Sequence, residues 1–164
     1  MNLGLSEDQR MMRDSFAGFL DEHSSPARVR AAAEAGGFDP VMWKGLAELG
    51  AFSLRIPEQY FGLGLGLMEA GRTLVSGPLA ETLVAVRVLA TLGGDAHSAL
   101  LEQVVSGDTV LGIALHDVAT RPAQWIAGGA VADAVIARDG DKVVLLSLAA
   151  GESRLEATLA STPI

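Results

Sequence analysis

Apolar and polar positions alternate with two different periods along this chain, and the change of period divides it. Ser6-Glu7-Asp8-Gln9 has the form of a capping box. Ser6 can accept from the free N–H groups of a first turn, Gln9 can reach back, and Glu7 and Asp8 suit the positive end of a helix dipole. Met12, Phe16, Phe19 and Leu20 then recur at helical spacing, which predicts a helix to about Glu22. Ser25-Pro26 predicts a second helix with proline at its first position, ended by Gly36-Gly37. Asp39-Pro40 repeats that start, Trp43, Leu46 and Leu49 line one face of a third helix, and Gly50 closes it. Pro57, Gly62, Gly64 and Gly66 predict a loop over residues 51–66. Helical spacing resumes at Leu67, breaks at Ser76-Gly77-Pro78, and continues to about Leu92 in a segment apolar nearly all round, the pattern of a helix buried between neighbours. Gly93-Gly94 ends it, and Ala96 to Val105 gives a last short helix, stopped by Ser106-Gly107-Asp108.

Beyond residue 108 the period shortens. Val110–Leu115, Ala134–Ala137 and Val143–Leu148 are β-prone runs. Asp139-Gly140-Asp141 predicts a hairpin between the last two, and the weak alternation of Leu155, Ala157 and Leu159 suggests a further strand in Gly151–Ile164. Six helices followed by strands means an α+β chain or two domains. Three or four strands make a poor independent sheet, because their edges stay open. The β part therefore reads as incomplete, and its pairing as antiparallel.

Composition narrows the classes. The net charge of -8 leaves no basic surface to displace counterions from nucleic acid, although the 12 Lys and Arg could still cluster locally around a small anion. With no cysteine, the chain has no disulfide, thiolate metal site or Cys nucleophile. The start, MNLGLSEDQR, shows no signal-peptide pattern. The longest apolar stretch, Leu83–Leu92, is interrupted by Arg87 and falls short of the roughly 20 residues a membrane helix needs. These features fit a cytoplasmic protein. Histidines and acids are not spaced for a metal site, and no Ser-His-Asp arrangement is supported. The Gly62, Gly64, Gly66 series follows no strand, so it fails as a dinucleotide-binding loop.

Several segments, in order, carry a resemblance. Leu5-Ser6-Glu7-Asp8-Gln9, Trp43-Lys44-Gly45-Leu46-Ala47-Glu48-Leu49-Gly50, Ile56-Pro57-Glu58-Gln59-Tyr60-Phe61-Gly62-Leu63-Gly64, Gly71-Arg72, and Ser106-Gly107-Asp108 followed by Gly112-Ile113-Ala114-Leu115 resemble the acyl-CoA dehydrogenase family. The resemblance covers roughly residues 3–115, and the Pro57–Gly64 loop is its most specific part. It implies a helical N-terminal domain over residues 1–108 and a partial middle β-domain over 109–164. The family's C-terminal four-helix bundle, which in many members supplies the catalytic glutamate and much of the tetramer, has no counterpart in these residues. No catalytic residue is assigned. The implied chemistry is proton abstraction α to an acyl-CoA thioester coupled to hydride transfer onto FAD, with the flavin doing the redox work.

By the same resemblance, His116 and Asp117 stand at the Thr and Glu positions of the family's Thr-Glu-Pro segment, directly after Leu115 at the end of the matching strand, and Trp125, Ile126 and Ala127 occupy the place of its Trp-Ile-Thr segment. Both lie beside the flavin in the family. Here both hydroxyls are gone, replaced at His116 and Ala127, the turn after the first segment is missing, and about ten residues separate the two. The resemblance thus leaves open whether this chain holds FAD or only the assembly does. For each residue two readings stand: His116 beside a flavin or thioester, or a strand-end histidine; Asp117 a ligand contact, or the cap of a turn; Trp125 stacked on flavin, or buried at a domain seam. Leu79, Leu83 and Val86, with Ala90, either line an acyl or sterol pocket or pack the core. Arg87 pairs with a buried acid, faces a partner subunit, or snorkels to solvent. His23 and His97, near helix ends, are given no role. Three functions follow: a subunit completed by a homologous acyl-CoA dehydrogenase chain or by itself, a helical binding or scaffold module without flavin, or a piece of an ordinary flavoenzyme.

Overall fold

The computed structural model describes residues 4–56 and 63–148, and side chains there except those of 63–65. Six helices come first: α1 (Glu7–His23), α2 (Pro26–Glu34), α3 (Pro40–Glu48), α4 (Leu63–Arg72), α5 (Leu79–Leu92) and α6 (Ser98–Val105). Three strands follow: β1 (Leu111–Ile113), β2 (Ala134–Asp139) and β3 (Lys142–Ser147). The α+β class is as expected.

Local chemistry sets most of the boundaries. Ser6 and Gln9 form both halves of the capping box at 3.2 and 2.9 Å. Ser25 and Asp39 cap α2 and α3, each ahead of a proline at the first helical position. Gly50 ends α3 at φ +78°, where a Cβ would be strained.

Residues 51–66 depart from the expected loop. Ala51–Arg55 form a short 3₁₀ turn, and α4 starts at Leu63 rather than Leu67. Gly66 is buried within that helix and faces the core: a Cβ there would lie 3.4 Å from the Leu54 Cδ1 methyl and 3.6 Å from the Phe16 ring, both ordinary van der Waals contacts. Most of the Pro57–Gly64 segment, and the strand suggested for Gly151–Ile164, lie outside the described residues.

Two apolar clusters flank α5. On one side Leu79 and Leu83 join Phe16, Leu20, Trp43, Leu46 and Phe52. Trp43 stacks obliquely between Phe38 and Phe52, with centroids 5.4 and 4.5 Å away. On the other side Ala85, Val86 and Leu89 meet Val104 of α6, Leu111 of β1 and Ala134 and Ile136 of β2. Burial on both sides is why α5 is apolar almost all round.

The sheet order is β1-β2-β3. β2 and β3 form the expected antiparallel hairpin, with Asp139 opposite Lys142 and Gly140 at φ +62° in the turn. The expectation of antiparallel pairing fails at β1, which runs parallel to β2, with Leu111 opposite Ala134. The connection between them, residues 114–133, is long enough for the crossover that parallel strands require. Thr82 of α5, fully buried, donates to the Leu111 carbonyl at 3.0 Å, on the side of β1 away from β2.

Candidate functional site

The two segments with implied flavin contacts meet just beyond the end of β1. Ala114 N–H donates to the carbonyl of residue 136, and the chain then swings out through residues 115–117 before Val118 N–H donates to that of Arg138. Leu115 lies 82 % exposed on this excursion and Trp125 lies 69 % exposed on the returning segment. Trp125 is therefore not a buried seam residue within this chain. Large apolar side chains so open to solvent are informative when they flank polar groups.

His116 is exposed, and its backbone is held by a residue that periodicity did not single out. Gln124 Oε1 accepts from His116 N–H at 2.9 Å, and Gln124 Nε2 donates to His116 C=O at 3.1 Å and to Arg121 C=O at 3.0 Å. The His116 imidazole Nε2 lies 3.3 Å from Arg121 Nη1. A guanidinium can only donate, so in a hydrogen bond between the two the imidazole nitrogen is the acceptor.

Asp117 does what a turn cap does. Its carboxylate accepts Ala119 N–H at 2.9 Å and Gly140 N–H at 3.1 Å, and faces Arg138 Nε at 3.5 Å. It thereby closes the local turn and ties it to the β2–β3 hairpin. Ile126 points inward and packs beneath the sheet with Ala114, Val135 and Ala137. Ala127 is half-buried. Gly128, at φ +71°, presses against Pro78 so closely that a Cβ would come within 2.3 Å of the proline Cβ. The returning segment is thus anchored to the helical layer at the start of α5.

The remaining candidates lie apart from this excursion. Leu79 and Leu83 wall a void of about 10 Å³ together with Phe16, Leu46, Ala51 and Leu54. That is room for about one water among the described residues. Val86, fully buried, belongs to the other apolar cluster. All three residues pack the core. Among the described residues no group of three or more histidines and acids could hold a metal ion, and no helix is long and apolar enough to cross a membrane.

The residues present do not fit an isoalloxazine ring unaided. Neither His116 nor Ala127 supplies a hydroxyl, and the His116 backbone N–H is already used by Gln124.

Residues 6–108 match the acyl-CoA dehydrogenase N-terminal domain. The acyl-CoA dehydrogenase IpdE2 of Mycolicibacterium smegmatis is 32 % identical over 146 residues, which cover 84 % of this chain and 44 % of that protein. The benzylmalonyl-CoA dehydrogenase of Aromatoleum aromaticum is 31 % identical over 176 residues, covering 87 % of this chain and 46 % of the relative. This chain belongs to the acyl-CoA dehydrogenase family. It spans somewhat under half the length of these curated relatives. Among solved structures, a variant of the Tcur3481–Tcur3483 steroid ACAD superposes with a TM-score of 0.72 at 23 % identity, over 96 % of this chain and 53 % of that one. The ChsE4–ChsE5 complex of Mycobacterium tuberculosis gives 0.68, also at 23 % identity, over 96 % of this chain and 51 % of that one. At such identity these structures establish the shared fold.

Proposed function

We propose that this chain is a subunit, or part of one, that contributes to FAD-dependent α,β-desaturation of an acyl-CoA thioester together with a homologous partner chain, and that it does so in the cytoplasm. In this reading residues 1–108 are the helical N-terminal domain and 109–164 part of the middle β-domain. FAD belongs to the assembly. The observation that carries the reading is the contrast between an intact helical layer and a flavin-side segment without its hydroxyls, open to solvent at Leu115 and Trp125. Two of the similar structures are named for pairs of proteins, which supports a partner. This chain's own part is to hold the 115–127 excursion in place, through Asp117 on one side and Gly128 on the other. No catalytic residue is assigned to it.

The alternative is a helical binding or scaffold module that has lost flavin, and the filled space around Leu79 and Leu83 favours it. Co-expression with homologous acyl-CoA dehydrogenase chains, purification through a tag on this chain, and a visible spectrum separate the two. A second chain with flavin absorbance in the same peak supports the subunit. A colourless, self-contained protein supports the module.

A further inference from the structure

The chain beyond β1 leaves the sheet for a geometric reason. Ala114 N–H bonds the carbonyl of residue 136, and Val118 N–H, four residues on, bonds that of residue 138, only two residues on. A regular ladder advances equally on both strands, so a surplus bulges outward after β1. The returning segment runs against this bulge in register. Ala114 and Ile126 join one apolar cluster beneath the sheet, and the Gln124 carboxamide bonds both backbone groups of His116, at 2.9 and 3.1 Å. That register sets Leu115 opposite Trp125, and both side chains stand in solvent, 82 and 69 % exposed.

This exposed pair is stapled in place. Gln124 makes a third bond, to the Arg121 carbonyl at 3.0 Å, Asp117 ties the outgoing turn to Gly140, and Gly128 presses on Pro78. A surface already ordered loses little freedom on contact, and tryptophan and arginine are among the side chains that dominate binding energy at protein interfaces. Charge narrows the partner. From residue 114 to 132 the ionisable side chains are His116, Asp117 and Arg121. The Asp117 carboxylate is only 18 % exposed and already accepts the Ala119 and Gly140 N–H groups. On a chain of net charge -8, this segment therefore shows solvent the cation Arg121 and no open carboxylate. A second copy packed on it about a two-fold axis would bring like-charged Arg121 side chains to one interface. An apolar hollow edged by a carboxylate fits it better.

We propose that Leu115, Arg121 and Trp125 form a docking knob for a homologous acyl-CoA dehydrogenase subunit, seated in an apolar hollow whose rim carries a carboxylate for Arg121, and that Gln124 positions the knob. The inference rests on the subunit reading above and adds where the two chains meet.

The test is the affinity between the full chain and a homologous acyl-CoA dehydrogenase chain that co-purifies with it, for the parent and four single variants whose folding is checked by circular dichroism. Trp125→Ala is expected to weaken binding about thirtyfold, as the loss of an interface hot spot does. Arg121→Glu is expected to weaken it about tenfold and to reverse its salt dependence: the parent binds less tightly as salt rises, the variant more tightly. It decides the matter if the tryptophan variant does not fold. Gln124→Ala leaves the three contact side chains in place and should weaken binding about fivefold through lost preorganisation. Val143→Ser, at an apolar residue 55 % exposed on β3, is the control and should bind as the parent does. Trp125→Ala and Arg121→Glu variants that bind as tightly as the parent overturn the knob and leave the subunit reading standing. A parent that captures no homologous chain overturns both. A homodimer of the parent that Trp125→Ala dissolves, with no homologous chain bound, overturns the choice of occupant.

Discussion

Thr82 joins the helical layer to the sheet through one buried hydroxyl, and replacing it isolates what that bond contributes. Thr82 and Leu111 are both fully buried, and the Thr82 Oγ1 donates to the Leu111 carbonyl at 3.0 Å. Thr82→Val keeps the shape and removes the donor. The carbonyl is then stranded away from water, a cost of about 1–3 kcal/mol, offset slightly by the extra apolar methyl. A net loss of roughly 2 kcal/mol is expected, which lowers Tm by about 4–8 °C for a chain of this size. Thr82→Ser keeps the hydrogen bond and removes a methyl, for about 1 kcal/mol. Urea denaturation followed by far-UV circular dichroism measures both. A valine variant as stable as the parent chain, or more stable than the serine variant, would refute the claim that this bond fastens β1 to α5.

Three further substitutions probe other joints. Gly128→Ala combines a left-handed backbone with a Cβ 2.3 Å from that of buried Pro78, and should cost about 3 kcal/mol by thermal melting. Leu74 sits at φ 54° and is 70 % exposed, where α4 ends in a Schellman motif (Val75 N–H to Ala70 C=O, Leu74 N–H to Gly71 C=O). Leu74→Gly should therefore raise stability by roughly 0.5–1 kcal/mol; a loss would mean the leucine side chain makes a contact that outweighs its strain. Partial burial works to raise the Asp39 pKa, but the N–H groups of Met42 and Val41 and the Arg28 guanidinium outweigh it and hold the carboxyl below its usual range. Asp39 stabilisation is thus present above the unfolded value of about 3.9 and lost as pH falls through the lower folded value. Asp39→Asn should cost about 1 kcal/mol at neutral pH through the weakened Arg28 contact, and the gap should close below about pH 4 in melts run across that range.

What could be read from the sequence was local. The capping box at Ser6, the Ser25-Pro26 and Asp39-Pro40 starts and the Gly50 stop each act within a few residues, so short motifs revealed them. The start of α4 was hidden because Gly64 and Gly66 read as loop residues, whereas both lie within the helix and Gly66 is buried facing Leu54 and Phe16. The parallel pairing of β1 with β2 depends on partners more than twenty residues apart, which no local pattern encodes. The flavin-side segments were located by resemblance, but the roles within them were not. Asp117 proved to be a bridge to Gly140, and Gln124 was missed altogether, because a bulge arises from the mismatch of two ladders and leaves no periodic signal.

The central claim is that this chain works as part of an acyl-CoA dehydrogenase assembly and not alone. Co-expression with homologous acyl-CoA dehydrogenase chains, capture through a tag on this chain, and the absorbance spectrum of the purified peak test it most directly. The account predicts a second chain in fixed ratio and the visible absorbance of oxidised flavin, with neither found when this chain is expressed by itself. A single colourless species under every co-expression would contradict it.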